Sequence, residues 1–145
     1  MHHYLGSGLR NVWLANGYRE VATAHGKGVA IDDADGLARA IARELARRPG
    51  RLSGAEFRYL RKELELSQAA LAELLGSTDQ AVARWEKGRT RVPKWADRLA
   101  RLLWREHAEG NVKVRGLIER LNAADEAKAA RLVLERRPSG WREAA

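Results

Sequence analysis

Cysteine is absent from the 145 residues, which excludes disulfides, thiolate nucleophiles and Cys-ligated zinc or iron–sulfur sites. No stretch approaches the roughly 18 apolar residues of a membrane helix, and the first residues lack the basic-then-apolar layout of a signal peptide. A cytoplasmic, nucleoid-associated protein is expected. A phosphate-cradling glycine loop and a Gly-x-Ser-x-Gly elbow are also missing, so no enzyme is expected. Acidic residues run short: 19 Asp and Glu face 27 Lys and Arg, leaving a formal charge of +8. With an isoelectric point near 10.4, that balance points to a polyanionic partner, most often nucleic acid. A hydrophobic content of 45% is ordinary for a globular chain and argues against wholesale disorder.

Residues 1–50 read as a small α+β subdomain. Asn11-Val12-Trp13-Leu14-Ala15 and Val29-Ala30-Ile31 are short apolar runs, and Asn16-Gly17 and His25-Gly26 are turn dipeptides. The spacing predicts two or three short strands. Asp32, Asp33 and Asp35 precede Leu37, Ile41 and Leu45, an N-capped amphipathic helix that Pro49-Gly50 ends. The three aspartates are explained by that helix start, and no metal site is expected of them. If this unit has its own core, Val12, Trp13, Leu14, Ile31, Leu37 and Ile41 form it. Seven basic and five acidic residues give it a charge of only +2.

Residues 51–108 carry the functional signal. Ser53-Gly54-Ala55-Glu56 has the form of a capping box, and Phe57, Leu60 and Leu64 then share one helical stripe. Ser67 caps a second helix with Leu71, Ala72, Leu74 and Leu75 inward, and Gly76 stops it. Ser77 and Thr78 open a third helix, Asp79 to Lys87. Pro93 opens a fourth, with Trp95, Leu99, Leu102 and Leu103 expected inward. The very short link between the second and third helices is the signature of a helix-turn-helix. Val82 and Trp85 would hold the third helix on the core, leaving Asp79, Gln80, Ala83, Arg84 and Lys87 to solvent. Gln pairs bidentately with adenine and Arg with guanine, so this stripe suits a major-groove contact. From Arg84 to Arg105 there are eight Lys or Arg and two acids, Glu86 and Asp97. Arg89, Arg91 and Lys94 lie where a duplex backbone would pass, with Lys87 and Ser77 beside them.

The run from Leu66-Ser67-Gln68 through Leu71-Ala72, Gly76, Val82 and Trp85-Glu86-Lys87-Gly88 resembles the phage-repressor helix-turn-helix of the Cro/cI or XRE family. The resemblance covers roughly residues 53–107 and implies a mainly α, five-helix-like bundle. It implies that Gln68 and Thr78 touch phosphate and that Asp79, Gln80 and Arg84 face bases. Asp79 departs from the neutral polar residue common there, and a carboxylate would accept from cytosine N4. The resemblance also implies an ion pair between Arg61 and Glu86. Gly8-Leu9-Arg10-Asn11-Val12-Trp13-Leu14, followed by Leu52-Ser53-Gly54-Ala55-Glu56-Phe57, resembles regulators related to the MqsA-type antitoxins. Their zinc ribbon does not carry over, because its ligands are Cys pairs. His2-His3 and His25 lack metal-ligand spacing, so neither metal nor cofactor is expected.

Residues 109–145 read as a helical extension and tail. Val114, Leu117, Ile118 and Leu121 form one stripe, and a further helix is expected from Asp125 to Arg136, with Leu132 and Val133 apolar. Pro138-Ser139-Gly140 would end it, leaving Trp141 in a tail. His107 would complement a helix dipole. Together these features predict a sequence-specific regulator of double-stranded DNA, a homodimer on an inverted-repeat operator. The alternative is an antitoxin-type module that covers a toxin.

Overall fold

The computed structural model describes residues 1–124 and 131–144. Among them the chain is mainly helical with three small two-stranded sheets. Strand β1 (His2–His3) pairs antiparallel with β2 (Trp13–Leu14). Strands β3 (Tyr18–Thr23) and β4 (Gly26–Ile31) form a hairpin in register Thr23↔Gly26 to Tyr18↔Ile31. Its link is Ala24-His25, and Gly26 takes the positive φ of 113° that the turn needs.

Helix α1 (Ala34–Arg47) begins at Asp33, whose carboxylate accepts from the Gly36 amide at 3.1 Å. Helix α2 (Gly54–Glu63) starts on the full capping box. Ser53 Oγ accepts from the Glu56 amide at 3.2 Å, and the Ser53 amide donates back to the Glu56 carboxylate at 2.8 Å. Helices α3 (Gln68–Leu75), α4 (Asp79–Glu86), α5 (Lys94–Ala108) and α6 (Lys113–Ala123) follow. None of the described helices is long and apolar enough to cross a membrane.

One contiguous core runs from Leu9 and the α1 residues Ile41, Ala42, Leu45 and Ala46, through Phe57, Leu60 and Leu71, to Val82, Leu103 and Trp104. Helix α1 packs on α2 and α5, and α4 on α2 and α3. In the first sheet Leu14 is buried outside that contiguous core, while Val12 and Leu37 pack against the core in part. Trp13, expected inside, is exposed and stacks on the His3 ring at 4.1 Å. Ile31 is only half-buried, because a lone hairpin has no second layer to cover it.

Helix α5 is rotated from its expected phase. Ala96, Asp97, Ala100, Leu103 and Trp104 are buried, Leu99 is half-buried, and Trp95 and Leu102 face out. Ala96 and Ala100 share the inward stripe with Leu103 and Trp104, on a helix that packs against both α1 and α2. Helix α6 turns Val114 and Ile118 toward the core and leaves Leu117 and Leu121 exposed. It starts where the Glu106 carboxylate accepts from the Val114 amide at 3.0 Å.

The helix expected over 125–136 is corrected in its described part. Strands β5 (Leu134–Arg137) and β6 (Gly140–Glu143) form an antiparallel hairpin, with Trp141 opposite Arg136 rather than in a tail. Residues 125–130 of that expected helix lie outside the described residues. Pro138-Ser139 is the hairpin turn, because proline in an extended segment reverses the chain as readily as it stops a helix.

Candidate nucleic-acid interface

The interface is built on the turn between α3 and α4. Ser67 caps α3 by accepting from the Ala70 amide at 3.0 Å. Gly76 then takes φ 69°, and the Ser77 amide reaches back to the Ala72 carbonyl at 2.9 Å. This is the Schellman closure that only a residue free to go left-handed makes cheaply. Two residues later Thr78 Oγ1 accepts from the Ala81 amide at 3.1 Å and opens α4. Ala72 is buried where α3 and α4 pack.

Val82 and Trp85 wedge α4 in place. Both are buried, and the Trp85 indole sits edge-on to Phe57 and to Trp95, each at 5.8 Å. That fixes the rotation of the helix, and Asp79, Gln80, Arg84 and Lys87 are all exposed on its other side. Among the described residues no hydrogen bond engages the side chains of Gln80, Arg84 or Lys87. Asp79 Oδ1 accepts from the Gln80 amide at 3.0 Å, which holds that carboxylate in the first turn.

After α4 the chain turns at Gly88, φ 73°, and Arg89 and Arg91 lie exposed in the loop. Val92 is buried and anchors it. Lys94 is exposed at the start of α5. Thr78 is exposed and Ser77 half-buried at the opposite end of α4.

Behind this face lies a polar knot. Arg61 donates from Nε to Glu86 Oε2 at 2.7 Å and from Nη2 to Glu86 Oε1 at 2.9 Å, a bidentate pair in which the Glu86 side chain is 3% exposed. Arg61 Nη1 also donates to the Leu66 carbonyl at 2.9 Å, closing the turn between α2 and α3. Gln68 is half-buried, and its Nε2 donates to Glu86 Oε1 at 3.0 Å. A carboxylate only accepts, so the nitrogen of that amide must face inward; its carbonyl and second N–H are not used there.

Residues 57–94 match the helix-turn-helix family. No curated protein and no solved structure matches the chain. The matched segment runs from Phe57 in α2 to Lys94 at the start of α5, and so contains the Arg61–Glu86 pair, the Gly76 turn and all of α4. A helix-turn-helix of this layout carries its exposed polar stripe on the second helix of the motif, here α4.

One residue that supports this helix-turn-helix carries almost no signal in the sequence. Asp97 is fully buried in α5, and its Oδ2 accepts from the Leu52 amide at 2.6 Å. Its Oδ1 lies 2.9 Å from both Arg98 Nη1 and Arg101 Nε. Arg101 in turn donates to the carbonyls of Arg48 and Gly50. The carboxylate therefore pins the segment that leads into the Ser53 capping box. Its only local signal is the i, i+4 spacing of Asp97 and Arg101. Among the described residues no cluster of three or more His, Asp or Glu could hold a metal ion.

Proposed function

We propose that the chain is a sequence-specific regulator of transcription, a repressor that reads the major groove of double-stranded DNA with α4. One observation carries the reading: Gln80 and Arg84 stand free at i, i+4 on a helix whose rotation Val82 and Trp85 fix. Neither is covered by the described residues of the flanking thirds. Two long bidentate side chains held at that spacing match adjacent base edges. Asp79 faces the same groove and favours cytosine through its N4 amine. Gln68, Ser77, Thr78, Lys87, Arg89, Arg91 and Lys94 hold the phosphates on either side. The protein works as a homodimer on an inverted repeat in the cytoplasm, represses its own promoter, and has no catalytic activity.

Selection of bound sequences from random duplexes tests this, with an enriched inverted repeat as the expected result. Arg84→Ala should then lose about 1–3 kcal/mol on the selected site and relax preference at one base pair. Equal loss on selected and random DNA would remove α4 from its role. Arg91→Ala should instead weaken both and flatten the salt dependence.

A second reading, an antitoxin-type module that covers a protein toxin, draws support from the C-terminal third. Leu117, Leu121, Leu132, Leu134 and Trp141 are all exposed there, Trp141 by 70%. Apolar surface of that kind is what a partner buries. Co-purification of a stoichiometric protein, lost in Trp141→Ser, would favour this role.

A further inference from the structure

Helix α1 carries Arg39, Arg43 and Arg47 at i, i+4 and i+8, and α5 brings Arg105 up beside them. The four line one groove of about 390 Å³ between the helices, over a floor that includes Ala46 and the buried Trp104. Only Arg47 has a carboxylate partner among the described residues, the neighbouring Glu44 at 2.7 Å. Glu109 is the single acid on the rim. Arg47 and Arg105 sit in the last turns of their helices, where a cation complements the dipole. Arg39 and Arg43 have no such reason to be there. Two like charges four apart on a helix repel, and among the described residues Glu109 is the one acid in the groove set against them.

We propose that this groove is a binding site for a phosphate-bearing ligand. All four cations are arginine, whose planar fork grips phosphate oxygens two at a time, where lysine offers a point charge. The space is that of a small-molecule site, and an aromatic ring with small side chains at its base leaves room for the group attached to the phosphate. The groove is separate from α4. Helix α1 packs on α2 and α5, not on α4, and Arg105 lies eleven residues, roughly 16 Å, along α5 from Lys94. The inference therefore stands apart from the DNA reading. Phosphate could arrive on a free nucleotide-like metabolite or on a nucleic-acid backbone, and the test has an arm for each.

The full-length protein is titrated calorimetrically at physiological ionic strength with pyrophosphate, and in parallel with a duplex lacking the selected site. Saturable pyrophosphate binding that weakens roughly a hundredfold or more in Arg39→Ala/Arg43→Ala/Arg105→Ala is expected, since each lost charge-assisted hydrogen bond is worth about tenfold. The three side chains are exposed, so the variant's melting temperature should match that of the parent. Failure of pyrophosphate with a variant-sensitive response to the duplex would assign the phosphate to a backbone. The lysine triple variant keeps the charge and loses the fork, and should bind weakly; parental affinity there would overturn a built arginine site. Two further results overturn the proposal: no difference between parent and alanine variant in either arm, or loss of pyrophosphate binding in Arg84→Ala.

Discussion

Two ion pairs in this protein have the same length and opposite surroundings, which makes them a test of what burial does to a charge. Arg61 and Glu86 meet at 2.7 Å with side chains 10% and 3% exposed; Arg47 and Glu44 meet at 2.7 Å with side chains 74% and 49% exposed. Arg61→Ala leaves Glu86 buried with one remaining donor, the Gln68 amide, and strips the Leu66 carbonyl of its partner. Breaking a fully buried pair costs roughly 3–5 kcal/mol. The surviving Gln68 bond puts the expected loss near the lower bound, about 3 kcal/mol. For a domain of this size that lowers the melting temperature by about 10 °C. Arg47→Ala, under the same thermal melt followed by circular dichroism, should shift nothing measurable, because water screens the exposed pair. Glu86→Ala should cost a similar amount to Arg61→Ala, and the double variant much less than their sum. An Arg61→Ala shift no larger than that of Arg47→Ala would refute the argument.

Three further perturbations act on the backbone and on one phenol. A Cβ at Gly54 would overlap the Trp85 carbonyl oxygen at the end of α4; Gly54→Ala should therefore lose about 2 kcal/mol or more in urea titration despite alanine's better helix propensity, and an unchanged midpoint would show that α4 can yield there. Glu65 holds φ 58° between α2 and α3, a conformation costing a side chain roughly 1–2 kcal/mol. Glu65→Gly gives part of that back to unfolded-state entropy, so a rise of a few degrees in melting temperature is expected and a fall would contradict the strain. Tyr59 donates to the Ala38 carbonyl at 3.0 Å, and burial, with Glu63 and Tyr4 adding repulsion, pushes its pKa from 10.0 up to about 12. The folded state thus keeps the phenol neutral where the unfolded chain ionises it. Stability from this residue is complete below about pH 10 and is lost as pH rises toward about 12. Urea melts on either side of that window should show the fall in the parent and not in Tyr59→Phe.

What the sequence made legible and what it hid differ by range. The Ser53–Glu56 box, the Ser67 and Thr78 caps and the Gly76 stop are local devices, each satisfied within a few residues, and each is where its letters suggest. The rotation of α5 is not local. Counting large apolar residues favours Trp95 and Leu102, yet Ala96 and Ala100 share the inward stripe with Leu103 and Trp104, because packing against α1 and α2 sets the phase. Asp97 goes in with them because the Leu52 amide, 45 residues away, waits for an acceptor. The helix expected through Leu132 and Val133 is absent for a third reason: both precede β5, and a short apolar run has no period long enough to separate a helix from an extended segment. The direction of Gln80 and Arg84 escapes these limits because it follows by complement. Once an indole and a valine three residues apart are inward, an eight-residue helix has only one other face. The exposed face of a short helix is therefore legible wherever its anchor is. The arginine groove between α1 and α5 was hidden for the converse reason, since neither helix alone shows that its cations converge.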